Sequence, residues 1–164
     1  MKQRLYIIAV VLVFLTTVAC GQDSSRSLGI GQEDLYLNVG SARYGLNINI
    51  ENVIADFGED YEYAEAMSCD YDGLDKTFIY DMAEFYTFPL QDGDTVSEIY
   101  SDSPEASTSR GIRVGAAKGD VLAVYGQPTE DTDYQLIYAI EGGSLCFDLH
   151  DGVVKGFYIT VRPF

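Results

Sequence analysis

The sequence has little positive charge, a single histidine and no tryptophan. Its 164 residues include 10 Lys and Arg against 26 Asp and Glu, which gives a formal net charge of −16. This charge repels phosphate, so nucleic acid is excluded as a partner. Hydrophobic residues make up 47% of the chain and aromatic residues 13%, which is enough for a packed core and excludes a wholly disordered chain.

The apolar run near the N-terminus is short for a membrane span. The uncharged stretch from Leu5 to Ala19 has 15 residues and follows Lys2 and Arg4, whereas a spanning helix needs about 20 apolar residues. This pattern predicts the hydrophobic region of an export signal. The tetrapeptide Thr-Val-Ala-Cys at 17–20 resembles the lipobox of bacterial lipoprotein signals, which implies cleavage before Cys20 and a lipid on its sulfur. An ordinary secretion signal with a chance cysteine is the alternative.

The lipobox resemblance implies an extracytoplasmic lipoprotein. We expect residues 1–19 to be the signal peptide, and residues 20–44 to hold lipidated Cys20, with acyl chains such as palmitate, and a flexible Gly- and Ser-rich tether. Cleavage leaves 8 basic against 26 acidic residues, a charge of −18, so the lipid is the only expected membrane contact. The predicted location is the outer face of the cell membrane, with a Gram-positive cell favoured.

An internal repeat organises the rest of the chain. Residues 53–58 (Val-Ile-Ala-Asp-Phe-Gly) recur as 121–126 (Val-Leu-Ala-Val-Tyr-Gly), residues 78–81 as 136–139, and residues 88–93 as 147–152. Similar blocks in the same order indicate a duplicated unit. We therefore predict two tandem repeat units, at 45–109 and 110–164.

Each unit has the pattern of a helix followed by strands. Apolar residues at helical spacing and a glycine after them predict a short helix in each unit, and Asn49 is placed to cap the start of the first. The Asp-Gly pairs at 92–93 and 151–152 lie between β-rich runs and predict tight hairpins. The predicted fold class is α+β, with two tandem units, each a short helix followed by an antiparallel β-meander, and the helices packed on one face of a shared sheet.

Helix stops and turns in the second unit resemble a known repeat. The pattern is Gly111-Ile112-x-x-Gly115, Asp120-Val121-x-x-x-Tyr125-Gly126-x-Pro128 and Asp151-Gly152-Val153-Val154-x-Gly156. It resembles the repeat of the β-lactamase inhibitory protein and of the small outer-membrane assembly lipoproteins of the BamE (SmpA/OmlA) type. Residues 68–76 resemble poorly characterised lipoproteins of Gram-positive anaerobes. The resemblance implies a non-catalytic protein-binding module, since the inhibitor grips its enzyme with an open sheet face.

Tyrosines occupy matching places in the two units, Tyr80 with Tyr138 and Tyr100 with Tyr158. Exposed tyrosines on a sheet suit protein binding, because a rigid amphipathic ring gives contact area at low entropic cost. All four are candidate partner-binding residues, and packing at the rim of a small core is the alternative. If Val154, Phe157 and Ile159 face the helices with a bulge after Val154, Tyr158 points to the other face of the sheet, and Tyr100 does the same in its unit.

Two cysteines of the mature chain and the single histidine could carry chemistry. Cys69 and Cys146 fall in different units, so a disulfide could staple the units together, while a small buried thiol at Cys146 is the alternative. His150 lies beside a predicted turn, where a histidine is usually solvent-exposed. No catalytic residue and no cofactor are predicted.

The acidic residues are concentrated in the first unit. Residues 45–109 hold 16 acids and only Lys76, a charge of −15, whereas residues 110–164 hold 7 acids and 5 bases. Asp70, Asp72 and Asp75 form an acidic loop, which is a weak candidate for calcium because the ligand spacing is wrong. The favoured partner is an envelope or extracellular protein with a basic surface. The alternative function is a small envelope enzyme or a calcium-dependent binding protein that uses this loop.

Overall fold

The structure, a computed structural model, describes residues 29–161. A 3₁₀ turn at Gln32–Asp34 comes first. The helices are α1 (Ile50–Phe57) and α2 (Lys118–Tyr125). The strands are β1 (Tyr36–Val39), β2 (Ala42–Gly45), β3 (Glu62–Met67), β4 (Leu74–Tyr80), β5 (Ala83–Leu90), β6 (Gly93–Ser101), β7 (Ala106–Thr108), β8 (Glu130–Asp131), β9 (Gln135–Ile140), β10 (Gly143–His150) and β11 (Val153–Thr160).

The strands form two sheets. An eight-stranded antiparallel sheet has the order β3-β4-β5-β6-β11-β10-β9-β8, and a three-stranded sheet has the order β2-β1-β7. The pair β6–β11 lies in the middle of the large sheet and sets Tyr100 opposite Tyr158 and Ile99 opposite Ile159. This pairing joins the first and second halves of the chain into one continuous sheet.

The two helices lie where the apolar spacing predicts them. The Asn49 side chain accepts a hydrogen bond from the backbone N–H of Glu51 at 2.8 Å, which caps the start of α1. Gly58 has φ 82° and ends this helix, and Gly126 has φ 78° and ends α2. Positive φ favours glycine at both stops. Each helix is only 8 residues long, so packing stabilises it more than intrinsic propensity does.

The hydrophobic core lies on one side of the large sheet. Phe85 of β5 is fully buried and meets the rings of Tyr44 in β2 and Phe57 in α1, with centroid distances of 5.5 and 6.4 Å. Phe147 of β10 is also fully buried and lies 5.6 Å from the ring of Tyr125 in α2. Both helices and the small sheet therefore cover the same face of the large sheet as parts of one core.

The predicted α+β fold of two tandem helix-plus-meander units is wrong. The described residues are mostly β, with about 50% in strands and 14% in short helices, and the large sheet runs unbroken through both halves. The sequence pattern missed the small sheet, because Asn38 of β1 pairs with Ser107 of β7, far along the chain. It also missed β3, whose six residues are all exposed and so show no alternation of apolar and polar residues.

The predicted tether at 20–44 is partly wrong. From Gln32 onward this segment is structured, and Leu37 and Val39 of β1 are buried, at 0% and 1% exposure. Alternating apolar residues in β1 face the core, and the short length of the strand hid this signal among the polar residues before it. The signal peptide at 1–19 and the lipidated Cys20 lie outside the described residues. Within residues 29–161, no helix is both long enough and apolar enough to cross a bilayer.

Candidate functional site

Strand pairing places the four candidate tyrosines on opposite faces of the large sheet. Tyr80 pairs with Ala83, and Tyr138 pairs with Leu145, both of which are buried in the core. Tyr100 pairs with Tyr158 on the other side. We call that side the outer face, meaning the side of the eight-stranded sheet that lies away from the core.

Tyr80 and Tyr138 are core residues, so their predicted role in partner binding is wrong. They are 9% and 1% exposed. Each hydroxyl donates to the carbonyl oxygen of a glycine that ends a helix, Gly58 at 3.0 Å and Gly126 at 3.1 Å. Burial raises the pKa of Tyr138 to about 12. Their matching positions reflect a shared way of docking a helix end onto the sheet, since a buried tyrosine needs a partner for its hydroxyl.

Tyr100 and Tyr158 lie on the outer face, as the bulge in β11 predicted. The register between β10 and β11 shifts between Asp148 and Leu149, opposite Val154 and Gly156. The two tyrosine rings are tilted against each other, with centroids 6.4 Å apart. Both side chains are half-buried, so their rings are fixed in place while part of each surface meets solvent.

A third tyrosine, Tyr86, lies on the outer face and was not among the candidates predicted from the sequence. Tyr86 of β5 pairs with Glu98 of β6, and Glu84 pairs with Tyr100. The Tyr86 hydroxyl donates to Glu84 Oε2 at 2.5 Å. Burial raises the pKa of Tyr86, and the hydrogen bond and charge of Glu84 raise it further. Residues 84 and 86 alternate with buried residues along β5, and residues 98 and 100 do so along β6. This alternation could have revealed the set, but only if the pairing of the two strands were known.

Carboxylates surround the tyrosines of the outer face. Burial raises the pKa of Tyr100, and the charges of Asp102, Asp148 and Glu84 add to that effect. Burial also raises the pKa of Tyr158. Its contact with Cys146 and the charges of Asp148 and Glu98 raise this pKa further. Carboxylates from three strands, Glu84, Glu98 and Asp148, therefore act on these two rings through their charge. We call Glu84, Tyr86, Glu98, Tyr100, Asp148 and Tyr158 the tyrosine–carboxylate patch.

Two neighbours hold the patch in position. Gln135 of β9 donates from Nε2 to Asp148 Oδ1 at 3.1 Å and to the Tyr158 hydroxyl at 3.0 Å. The Tyr100 ring lies against Gly156, where an ideal Cβ would come within 2.6 Å of the Tyr100 hydroxyl. The absence of a side chain at Gly156 thus lets the ring of Tyr100 lie across the neighbouring strand. Both contacts fix side chains before any partner arrives.

The possible disulfide between Cys69 and Cys146 is absent, and the structure shows the alternative, a buried thiol at Cys146. Both cysteines are free, Cys69 exposed and Cys146 buried in β10. Cys69 lies in the loop before β4, and four strand spacings of the sheet separate β4 from β10, a distance of roughly 20 Å. A disulfide needs Cα atoms within about 7 Å. Burial raises the pKa of the Cys146 thiol to about 12, so this residue behaves as a small apolar side chain.

The remaining candidates do not assemble into a site. Among residues 29–161, no group of three His, Cys, Asp or Glu side chains is placed to hold a metal ion, so Asp70, Asp72 and Asp75 do not converge as ligands. His150 is exposed at the hairpin after β10, with Nδ1 3.2 Å from Asp151 Oδ2. An exposed pair of this kind lacks the buried, oriented geometry of a catalytic histidine.

Comparisons with models of protein families, with curated proteins and with solved structures find no match to this chain. The fold and the site define a mostly β protein whose large sheet covers a core on one side and carries the tyrosine–carboxylate patch on the other.

Proposed function

We propose that the protein is a lipid-anchored, non-catalytic module of the cell envelope that binds another envelope or extracellular protein on its outer face. The observation that carries this proposal is the tyrosine–carboxylate patch. Its three tyrosines come from β5, β6 and β11, so the two halves of the chain contribute to one continuous surface.

The side chains of the patch suit protein recognition. Tyrosine supplies a large contact area with few rotatable bonds, so it loses little entropy when a partner binds. Gln135 and Gly156 already hold Tyr158 and Tyr100 in place. Pre-organised side chains increase affinity, because the cost of ordering them is met on folding. The central strands β6 and β11 place the patch in the middle of the sheet.

The reactive side chains give little support to the enzyme alternative. A cysteine nucleophile must be a thiolate, and burial raises the pKa of Cys146 to about 12. His150 lies at a hairpin with its side chain 73% exposed. These features favour binding over catalysis.

Gly29, nine residues after the expected lipid anchor at Cys20, is held against the folded domain. Arg110 donates to the carbonyl oxygen of Gly29 at 2.8 Å and to Asp34 Oδ2 at 2.6 Å. If Cys20 carries the lipid, only residues 21–28 separate the bilayer from this contact. A segment of that length spans at most about 30 Å. The proposed module would therefore act close to the membrane surface.

The test uses the full chain in its own cells with chemical cross-linking and capture. The double substitution Tyr100→Ala and Tyr158→Ala should abolish capture of the partner. A matched double variant, Tyr36→Ala and Tyr63→Ala, removes tyrosines that are 40% and 48% exposed and lie off the outer face, and it should leave capture unchanged. Circular dichroism melts of both variants serve as the control for folding. Unchanged capture by the folded outer-face variant would overturn the proposal.

A further inference from the structure

We infer that β3, at one edge of the eight-stranded sheet, binds an extended segment of another protein as an added antiparallel strand, and that this segment places a basic side chain opposite Glu65. This edge is separate from the tyrosine–carboxylate patch, so the inference goes beyond the proposed function. It is carried by the outward hydrogen-bonding groups of β3, by the exposure of all six of its residues and by the charge around it.

Every second residue of β3 directs its backbone hydrogen-bonding groups away from the sheet. Ser68, which follows β3, donates its N–H to the carbonyl oxygen of Gly73 at 3.1 Å, and the register between β3 and β4 continues to this pair. In an antiparallel pair, residues bonded in this way alternate with residues whose N–H and C=O groups point away from the neighbouring strand. The outward groups of β3 therefore belong to Tyr63, Glu65 and Met67.

The β3 edge is long and open, whereas the opposite edge of the sheet is short. All six residues of β3 are exposed, and Met67 is 76% exposed. At the other end of the sheet, β8 has only 2 residues, and the Lys118 side chain donates to the carbonyl oxygen of Thr132, directly after this strand, at 3.0 Å. Short strands and covering side chains are the usual protection of a sheet edge. The length of β3 instead suits strand addition, in which main-chain hydrogen bonds supply the affinity.

Charge selects the strand that this edge accepts. Residues 59–72 contain 6 acids and no basic residue. Glu65 is the middle residue of the outward set, and its Oε2 accepts a hydrogen bond from the Tyr63 hydroxyl at 2.6 Å, which holds the carboxylate in place. Pairing of this edge with a second copy of the chain would bring two acidic segments together, and like charges on neighbouring strands are destabilising. A segment with lysine or arginine opposite Glu65 is favoured instead.

The test measures hydrogen exchange at this edge in the full chain, held in detergent micelles. The probe is the peptide Thr-Val-Thr-Arg-Thr-Val-Thr with both ends blocked, and NMR follows the backbone amides of the ¹⁵N-labelled protein. In the free chain the outward amides of Tyr63, Glu65 and Met67 should exchange readily. At a peptide concentration about ten times its Kd, exchange at these three amides should slow about tenfold. Unchanged exchange up to about 5 mM peptide would overturn the inference.

Two N-methylated peptides separate strand addition from simple charge attraction, because both keep the arginine charge. N-methyl groups on the arginine and the second valine remove N–H groups that an antiparallel strand directs at β3, so this peptide should not slow exchange. N-methyl groups on the two threonines beside the arginine point to solvent and should leave binding within about twofold. Equal effects of the two peptides would overturn pairing through the backbone. Since only the peptide changes, a folding defect cannot hide the result.

Two substitutions at Met67 test the backbone of β3 itself. Met67→Pro removes one outward N–H and leaves the bonds to β4 in place, whereas Met67→Ala removes only the side chain. The first should weaken peptide binding, followed at the amides of Tyr63 and Glu65, by about tenfold, and the second by less than about threefold. The amides of Ala64 and Ala66, which point to β4, report whether the strand stays folded. Equal weakening by both variants would contradict the inference.

A charge swap tests the preference for a basic side chain. Glu65→Lys should weaken binding of the arginine peptide by about fivefold, and a peptide with glutamate in place of arginine should bind this variant more tightly than the wild type. Equal binding of both peptides to both proteins would overturn this preference. Analytical ultracentrifugation tests the other occupant, a second copy. A dimer of the full chain that dissociates on Met67→Pro would overturn the choice of a different protein.

The edge and the patch fail separately. Tyr100→Ala with Tyr158→Ala should leave peptide binding at β3 unchanged, and loss of that binding would place the peptide on the outer face and overturn the inference. Failure of the peptide to protect β3 leaves the proposed function in place. Cellular capture that survives the double tyrosine variant would instead overturn the proposed function and leave the edge inference in place.

Discussion

The ring of Tyr100 lies across Gly156 of the neighbouring strand, so that a Cβ added to this glycine would come within 2.6 Å of the Tyr100 hydroxyl. Tyr100 belongs to β6 and Gly156 to β11, the two strands that join the halves of the chain. The orientation of Tyr100, in the first half of the chain, is therefore set by the absence of a side chain at Gly156, in the second half.

This contact makes Gly156→Ala a probe of Tyr100. We expect the added methyl group to displace the ring and weaken partner capture, while the free energy of unfolding changes by no more than about 1 kcal/mol. Gly156 is not among the glycines with positive φ, so alanine fits its backbone. The control is Gly119→Ala, where nothing lies within 4 Å of the added Cβ. In a Tyr100→Ala background, Gly156→Ala should have no further effect on capture, and a full additional loss would contradict this explanation.

Replacing Arg110 should destabilise the fold strongly. Asp34 has a side chain 1% exposed, and Arg110 donates to both of its carboxylate oxygens. Arg110→Leu leaves a buried carboxylate without its cation, which costs about 3–5 kcal/mol. Urea denaturation measures this loss. The double variant Arg110→Leu with Asp34→Leu should recover part of the stability, and a double variant as unstable as Arg110→Leu would argue against the ion pair as the cause.

The same carboxylate predicts a dependence of stability on pH. Burial alone would raise the pKa of Asp34, but hydrogen bonds from Arg110, Gly31 and Ser109 outweigh it and bring the pKa below its ordinary value of 3.8. The stabilisation from this group is therefore fully present above pH 3.8 and is lost as the pH falls through the lower, folded-state pKa. Urea unfolding at pH 6 and at successive steps below pH 4 should show a smaller acid-induced loss in Asp34→Asn than in the wild type. Identical losses in both proteins would contradict the assignment to Asp34.

Cys69 and Cys146 should differ in reactivity. Cys69 is exposed and Cys146 is buried with a pKa of about 12, so iodoacetamide at pH 8 should modify Cys69 in the folded protein and Cys146 only after urea is added. Peptide mass spectrometry identifies the modified residue. The melting temperature should be the same with and without reductant, whereas a drop on reduction would indicate a disulfide after all.

Local patterns in the sequence predicted local structure well. The helix at Ile50–Phe57 follows from apolar spacing and the Asn49 cap, and the bulge in β11 follows from the alternation around Val154. These features depend on residues close together in the chain. Their physical causes, side-chain periodicity and capping, can therefore be seen in the sequence alone.

Long-range pairing explains what the sequence could not reveal. The small sheet requires β1 to meet β7, and the outer face requires β6 to meet β11. Tyr80 and Tyr100 looked equivalent as repeated tyrosines, yet one docks a helix end in the core and the other lies on the outer face. The pairing of β6 with β11 brings the carboxylates of the patch together from both halves of the chain, so this set was not predicted, and neither was the neighbouring Gln135.

Photo-cross-linking from within the patch tests the binding face most directly. Benzoylphenylalanine placed at position 100 or at position 158 in the full chain should cross-link the same partner protein in living cells, and placed at position 36 it should not. Adding Glu98→Gln and Asp148→Asn should abolish the cross-links from both patch positions. Cross-links from position 36 alone, or patch cross-links that persist unchanged after both carboxylates are neutralised, would contradict recognition by the tyrosine–carboxylate patch.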